Sequence, residues 1–211
     1  MRLRNDPKAR EYLENSQYLI ENFPIILDEN IILEIGMGKG EMLCEMAKLN
    51  PHKKFIGIEK FPTVAAKAAK KFNENNLKNI FIINKDLDSL FDQFQGMVNE
   101  IWLTFSDPWP KKRHYKRRLT YRKYLNLYKN LLSSNGILKI KTDNDLFFNW
   151  SLEEIDNFKS AKIIYQTTDL HNSDKNSANI PTGYEIKWSS KGKKTLIIWK
   201  LYLWMKINLP Q

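Results

Sequence analysis

The chain has 211 residues, enough for one well-filled core and short for two full domains, so a single domain over 1–211 is expected. Hydrophobic residues make up 42% and charged residues 27%, ordinary globular proportions, while 34 Lys and Arg against 24 Asp and Glu leave a net charge of +10. The single cysteine, Cys44, excludes an internal disulfide and a cysteine-based metal cluster, and it reads as a core thiol on a buried helix.

The opening MRLRNDPKAR lacks an apolar segment behind its positive charges, unlike an ordinary signal peptide. Pro7 to Asn22 read as a helix with Tyr12, Leu13, Leu19 and Ile20 inward, within an extension over 1–28 that is free to move when no partner is bound. From Asn30 the pattern alternates. IILEIG is a strand and KGEMLCEMAKLN a helix; KKFIGIE is a strand and FPTVAAKAAKKFNE a helix; IFII is a strand and the acidic LDSLFDQF a helix. VNEIWLTFS with LTYRKYLNLYKNLL, and GILKIKT with DLFFNWSLEEIDNF, continue the series. Apolar strands separated by helices imply an α/β fold with a mainly parallel sheet covered by helices on both faces. Beyond Asp156, AKIIYQTTDL and TLIIWKLYLWMK read as a late antiparallel strand pair, joined by a polar loop, HNSDKNSANIPTGYEIKW, long enough to suggest a lid or a binding segment. The closing apolar run is interrupted by Lys200 and is too short to cross a bilayer, so a buried strand and a cytoplasmic, reduced protein are expected.

Candidate chemistry gathers at the carboxyl ends of the strands, where ligands of such sheets bind. LEIGMGKGEML places Gly36, Gly38 and Gly40 between a strand and a helix, where the backbone can approach a ligand closely. The GxxxxGK[ST] phosphate loop is absent, since Lys39 is followed by Gly40. A dinucleotide site is nearer in form, with Glu59 able to bind a ribose diol, but Glu34, two residues before the first glycine, disfavours a pyrophosphate and suits a cationic ligand. Asp86 follows the third strand, where a short acid can reach an adenine amine or simply cap a helix. These three acids describe a site for S-adenosylmethionine better than one for NAD or ATP.

The fourth strand delivers SDPWPKKRHYKRR. Its Asp-Pro turn holds Asp107 and Trp109 on a rigid element, loosely like the [DNS]PP[YFW] turn of base-amine methyltransferases. From Lys111 to Lys123 there are eight Lys or Arg and no acid, so this interval supplies +8 of the net +10 and points to a polyanionic partner. Trp109, His114, Tyr115, Tyr121 and Tyr124 offer stacking surfaces beside the cations, which favours nucleic acid over membrane. His52, His114 and His171 lack ligand spacing, so no metal is expected.

With LEIGMGKG, GIE at Gly57 to Glu59, SDPWPKKRHYKRRLT, KTDN at Lys141 to Asn144, DLHNSD at Asp169 to Asp174 and TGYE at Thr182 to Glu185, the chain resembles the bacterial tRNA (guanine-N7-)-methyltransferases over nearly its whole length. The resemblance implies a Rossmann-like class I methyltransferase domain with a seven-stranded sheet and an antiparallel C-terminal strand. It further implies S-adenosylmethionine as donor, without metal, and a guanine of the tRNA variable loop as acceptor. Residues matching Glu34, Glu59, Asp86 and Asp107 bind the donor in this family, with Asp107 also the active-site residue. Those matching Lys111, Asp143 and Thr182, Gly183, Tyr184 and Glu185 bind the RNA substrate, and Lys112, Arg113, His114, Lys116, Arg117 and Arg118 contact RNA. Neither a membrane nor an obligate protein partner is expected, and the protein would be a monomer or homodimer. Three departures stand out: Thr104 replaces a frequent Asn, Leu87 a frequent Ala, and Gly183 a larger residue, which should leave the substrate loop more pliable. Two rivals remain open: a methyltransferase acting on a base amine, and an RNA-binding module with an inactive donor pocket.

Overall fold

A computed structural model describes residues 6–203; residues 1–5 of the amino-terminal extension and Trp204, Met205 and Lys206 of the closing run lie outside the described residues. Seven strands form a mixed sheet of the Rossmann-like α/β class. The chain divides into two compact units, one holding the residues up to Gly96 with Ile180–Lys187, the other holding Met97–Asn179 and the chain from Trp188 onward.

In the first unit, α1 (Pro7–Glu14) starts where the Asp6 carboxylate accepts the Lys8 N–H and Pro7 supplies a preset first turn. It ends eight residues earlier than the expected Asn22, because the Asn15 side chain donates to the Glu11 carbonyl and closes the last turn. The next residues join the sheet edge: Ile82 N–H donates to the Tyr18 carbonyl and Ile20 N–H to the Ile82 carbonyl. Leu13 and Tyr18 are buried, and the Tyr18 ring meets Phe72 edge-on at 5.7 Å.

The parallel strands β2 (Ile31–Ile35), β3 (Lys54–Ile58) and β4 (Ile80–Ile83) alternate with α2 (Glu41–Leu49) and α3 (Pro62–Glu74). Their apolar side chains are almost all buried, as in strands covered on both faces. Two short strands, β1 (Ile25–Ile26) and β5 (Phe94–Gln95), pair in parallel. That pairing leaves room for one 3-10 turn at Leu87–Leu90 where LDSLFDQF suggested a full helix.

In the second unit, β6 (Val98–Thr104) pairs in parallel with β7 (Leu132–Thr142), which starts earlier than GILKIKT implied, directly after α4 (Arg122–Leu131). After α5 (Asp145–Asp156), β8 (Ala161–Thr167) and β9 (Leu196–Leu203) form the expected antiparallel pair, and β9 also runs antiparallel to β7. Lys139 is clamped between the rings of Trp102 and Trp199, 4.5 and 4.7 Å from their centroids, with its ammonium 3.0 Å from the Glu100 carboxylate. The cation is thus paired as well as desolvated, which makes its burial tolerable.

Candidate active site

The carboxyl ends of β2, β3 and β4 are level, because Ile35 stands opposite Ile58 and Ile58 opposite Ile83. Adjacent parallel strands lie about 4.8 Å apart, so the residues that leave them share one rim. Glu34, beneath that rim, is 1% exposed. Opposite it in register, Gly57 makes room for Met37 of the next turn; a Cβ there would lie 2.0 Å from the Met37 sulfur.

Gly36, Gly38 and Gly40 all have φ between 59° and 77°, which other residues adopt only with strain. A Cβ on Gly36 or Gly38 would meet nothing within 4 Å, so these two edge an open cradle, whereas one on Gly40 would strike Phe72 at 2.6 Å. Four amides of this loop are directed inward. Gly36 and Met37 N–H donate to the Ile58 carbonyl at 2.8 and 3.1 Å, Gly40 N–H to the Met37 carbonyl, and Gly38 N–H to the Glu59 carboxylate at 3.1 Å. A phosphate loop keeps such groups for its anion; this one has committed them to carbonyls and a carboxylate.

The other oxygen of Glu59 accepts the Phe61 N–H at 2.9 Å. Burial pushes the Glu59 pKa above its ordinary value, and the two N–H donors only partly offset that. Asp86 is exposed and caps the 3-10 turn, its Oδ1 accepting the Asp88 N–H at 3.1 Å. Asn84 braces the rim by donating to the Glu59 carbonyl at 2.7 Å.

The TGYE segment, expected in a pliable loop, opens helix α6 (Gly183–Ser189). Glu185 N–H donates to the Thr182 hydroxyl at 2.9 Å, and Thr182 N–H to the Glu185 carboxylate at 3.3 Å, a reciprocal capping box. Both residues are buried, while Tyr184 is exposed. Gly183 N–H donates to Glu41 at 2.9 Å, and a Cβ on Gly183 would sit 2.2 Å from that carboxylate. The small residue thus admits Glu41, which also pairs with Lys71 at 3.3 Å, so the expected pliability is replaced by a fixed contact. Sequence reasoning missed Glu41; the Thr-x-x-Glu spacing was the available signal for the helix start.

In the second unit, β6 delivers Asp107, which is exposed. Its turn is bracketed by Phe105 and Trp109 at φ 48° and 43°, left-handed conformations that cost a non-glycine residue about 1–3 kcal/mol and cluster at functional sites. Ser106 Oγ is buried and has no hydrogen-bond partner among the described residues. Asp143, one residue beyond β7, accepts a salt bridge from Lys193, a residue that sequence reasoning did not single out. Lys141 is fully buried and donates to Asn179 Oδ1.

The basic run divides its labour. Lys111, Lys112, Arg113, Lys116 and Arg117 are exposed around a 3-10 helix, Lys112–Arg117. Arg118 turns inward and is 8% exposed, donating through Nε to the Pro108 carbonyl at 3.0 Å and through Nη2 to the Trp109 carbonyl at 3.1 Å, with its guanidinium 4.4 Å from the Trp150 centroid. Arg122 pairs with Glu154 at 2.9 Å. His114 packs edge-on against Trp109, and desolvation, followed by the charges of Arg117, Arg113 and Lys111, lowers its pKa. Burial raises the Cys44 pKa, which keeps this thiol protonated and inert. Among the described residues no cluster of His, Cys, Asp and Glu could hold a metal, and no helix is long and apolar enough to cross a membrane.

Comparison with known proteins first gives the class. Residues 28–198 match a family model described as "Putative methyltransferase". The fold is similar to that of an rRNA methylase from Streptococcus thermophilus (TM-score 0.55, 14% identity, 97% of this chain and 99% of that one). It is also similar to that of a ribosomal protein L11 methylase from Lactobacillus delbrueckii subsp. bulgaricus (TM-score 0.56, 11% identity, 93% and 77%). At such identities these two speak for the fold alone. A tRNA (guanine-N(7)-)-methyltransferase of Mycoplasmopsis pulmonis (strain UAB CTIP) is 53% identical over 193 residues, 92% of this chain and 95% of that protein. The chain belongs to the tRNA (guanine-N7-)-methyltransferase family.

Proposed function

We infer that the protein transfers a methyl group from S-adenosylmethionine to N7 of a guanine in tRNA. The observation that carries this is the 53% identity to a tRNA (guanine-N(7)-)-methyltransferase over almost the full length of both chains. The open cradle at Gly36 and Gly38, with its amides committed inward and Glu34 and Glu59 buried beside it, fits a cationic donor better than a phosphorylated one. Glu34, Gly36, Gly38, Gly40, Glu59 and Asp86, with Asp107, are the proposed donor-binding residues. The donor supplies an electrophilic methyl on a sulfonium.

Guanine N7 has an in-plane lone pair and no proton, so the protein's task is alignment and charge stabilisation rather than deprotonation. Asp107 is the proposed active-site carboxylate, favouring the positive charge that develops on the purine. Lys111, Asp143 and the segment Thr182, Gly183, Tyr184 and Glu185 are the proposed guanine-binding group. Carboxylates that accept from guanine N1–H and N2–H discriminate against adenine, which leaves each such acceptor unpaired at a cost of about 1–3 kcal/mol. Lys111, Lys112, Arg113, Lys116 and Arg117 contact RNA phosphates. His114 belongs to the same surface, whereas Arg118 is buried and acts through the turn that it braces. The acceptor is placed in the variable loop, and the enzyme works in the cytoplasm as a monomer or homodimer without an obligate protein partner.

Incubation of unmodified tRNA with labelled donor, followed by nucleoside mapping, tests the reaction: 7-methylguanosine is expected, and dominant N6-methyladenosine would replace this reading by the base-amine one. Asp107→Ala is expected to abolish transfer while tRNA retention changes little; equal loss of both would remove Asp107 from the chemistry.

A further inference from the structure

Beside the Asp107 turn the second unit contains a cleft of about 510 Å³, within the roughly 300–1,000 Å³ typical of ligand sites. Its walls come from separate elements. Pro108 and Pro110 belong to the turn, Tyr115 to the 3-10 helix, and Leu146, Phe147 and Trp150 to α5. Two of these are conspicuously open to solvent: Leu146, on the first turn of α5, is 79% exposed and Tyr115 38%. Neither is needed for the core, and an aliphatic and an aromatic side chain facing one cleft form an apolar slot. Trp150 also lines the cleft, with Arg118 over one face of its ring.

The rim is cationic. Lys112 lines the cleft, and exposed Arg113, Lys116 and Arg117 stand on the same short 3-10 helix. Apolar and aromatic walls with an exposed lysine at their edge suit one chemical class: a nucleotide whose base has left its stack and whose phosphate remains at the surface. A neutral apolar ligand would not need the rim, and a duplex phosphate backbone would not need the slot.

We propose that this cleft, whose lining includes none of the proposed guanine-binding residues, is a second RNA subsite, which receives an unstacked base of the tRNA with Tyr115 and Leu146 packing against its faces and Lys112 on its phosphate. The subsite rests on the reading of tRNA as substrate. It gives the enzyme a shape criterion, because only RNA that can release a base beside the target fills it, whereas the cations alone accept any backbone.

The test measures binding at fixed moderate salt of two RNAs, an unmodified tRNA transcript and a fully paired duplex of similar length. The proteins are wild type, Tyr115→Ala, Tyr115→Phe and Leu146→Ala. Tyr115 also meets the Tyr121 ring edge-on at 5.4 Å, so thermal melting of each variant separates lost packing from a lost RNA contact. Tyr115→Ala and Leu146→Ala should each lose tRNA affinity, by roughly 5- to 150-fold at Tyr115, the range given by loss of one base–aromatic stack. Tyr115→Phe should match wild type, and duplex affinity should stay constant throughout. Wild-type tRNA affinity in both truncations, or equal losses on tRNA and duplex, would overturn the subsite. Failure of the wild type to methylate tRNA in the labelled-donor assay would instead overturn the reading on which it rests, so the two failures are separable.

Discussion

Arg118 gives the sharpest test of how the basic run is organised. By sequence it is one of eight equivalent cations; by structure it is a strut. Its Nε and Nη2 bind two consecutive carbonyls of the turn that follows Asp107, and its guanidinium covers Trp150. Hydrogen bonds to a charged group contribute about 1.5–3 kcal/mol each, and a partly desolvated cation–π contact about 0.5–2 kcal/mol. Water that enters after truncation recovers part of this, so Arg118→Ala should destabilise by about 2–4 kcal/mol. For a chain of this size that lowers Tm by about 4–16 °C. Arg118→Lys keeps the charge but replaces the planar fork by a single ammonium that cannot hold both carbonyls in the same geometry. It should therefore lose most of the same stability, and methyl transfer should fall with it as the Asp107 turn loosens.

The assay is thermal unfolding of both variants alongside tRNA binding across a salt series. If Arg118 were a phosphate contact, Arg118→Lys would melt within about 0.5 kcal/mol of wild type, and Arg118→Ala would lower the salt slope of binding by about one unit. That pair of results would refute the strut.

Exposed Arg117 should behave in the opposite way: Arg117→Ala weakens tRNA binding and lowers the salt slope by about one, with donor affinity unchanged and stability reduced only by its exposed cation–π contact with Trp109, about 0.5–1 kcal/mol. Gly57→Ala drives a methyl into Met37, which must leave its place in the glycine turn; calorimetry should show donor affinity reduced by about tenfold, about 1.4 kcal/mol, and wild-type affinity would show that the turn adapts freely. Glu59 has a raised folded pKa, so without donor its contribution to stability is full below the ordinary value of 4.5 and is lost as pH rises through the folded value. A ribose diol or a cation favours the ionised form, so donor affinity should fall as pH drops from neutrality toward 4.5, with proton release measurable by calorimetry in buffers of different ionisation enthalpy; a flat profile would remove Glu59 from the donor site.

Much of the fold was legible because its signals are local. IILEIG, KKFIGIE and IFII are apolar runs of strand length, the first two ending in glycine or acid, and the helices between them carry apolar faces. What was not legible depends on partners far along the chain. Residues 18–20 have helical composition but pair with Ile82, and the helix after Asp86 is one turn because Phe94 and Gln95 pair with Ile25 and Ile26. Gly183 read as a source of pliability because Glu41, the residue that fills its missing side chain, lies 142 positions away. The capping box of Thr182 and Glu185 is local and readable, but the surrounding polar composition suggests a loop and masks it.

The glycine turn shows why spacing alone leaves the ligand undecided. Glycines between a strand and a helix allow a close backbone approach in dinucleotide, phosphate and methyl-donor sites alike. The distinction lies in where the amides point. Here four N–H groups, those of Gly36, Met37, Gly38 and Gly40, are hydrogen-bonded to protein oxygens, one of them a buried carboxylate. To bind a pyrophosphate the turn would have to break the Gly38 to Glu59 bond and bring a second anion against Glu59 in a poorly hydrated pocket, where like charges repel most strongly. A cationic ligand asks for neither change, so the same carboxylate that closes the turn against phosphate opens it to a sulfonium donor.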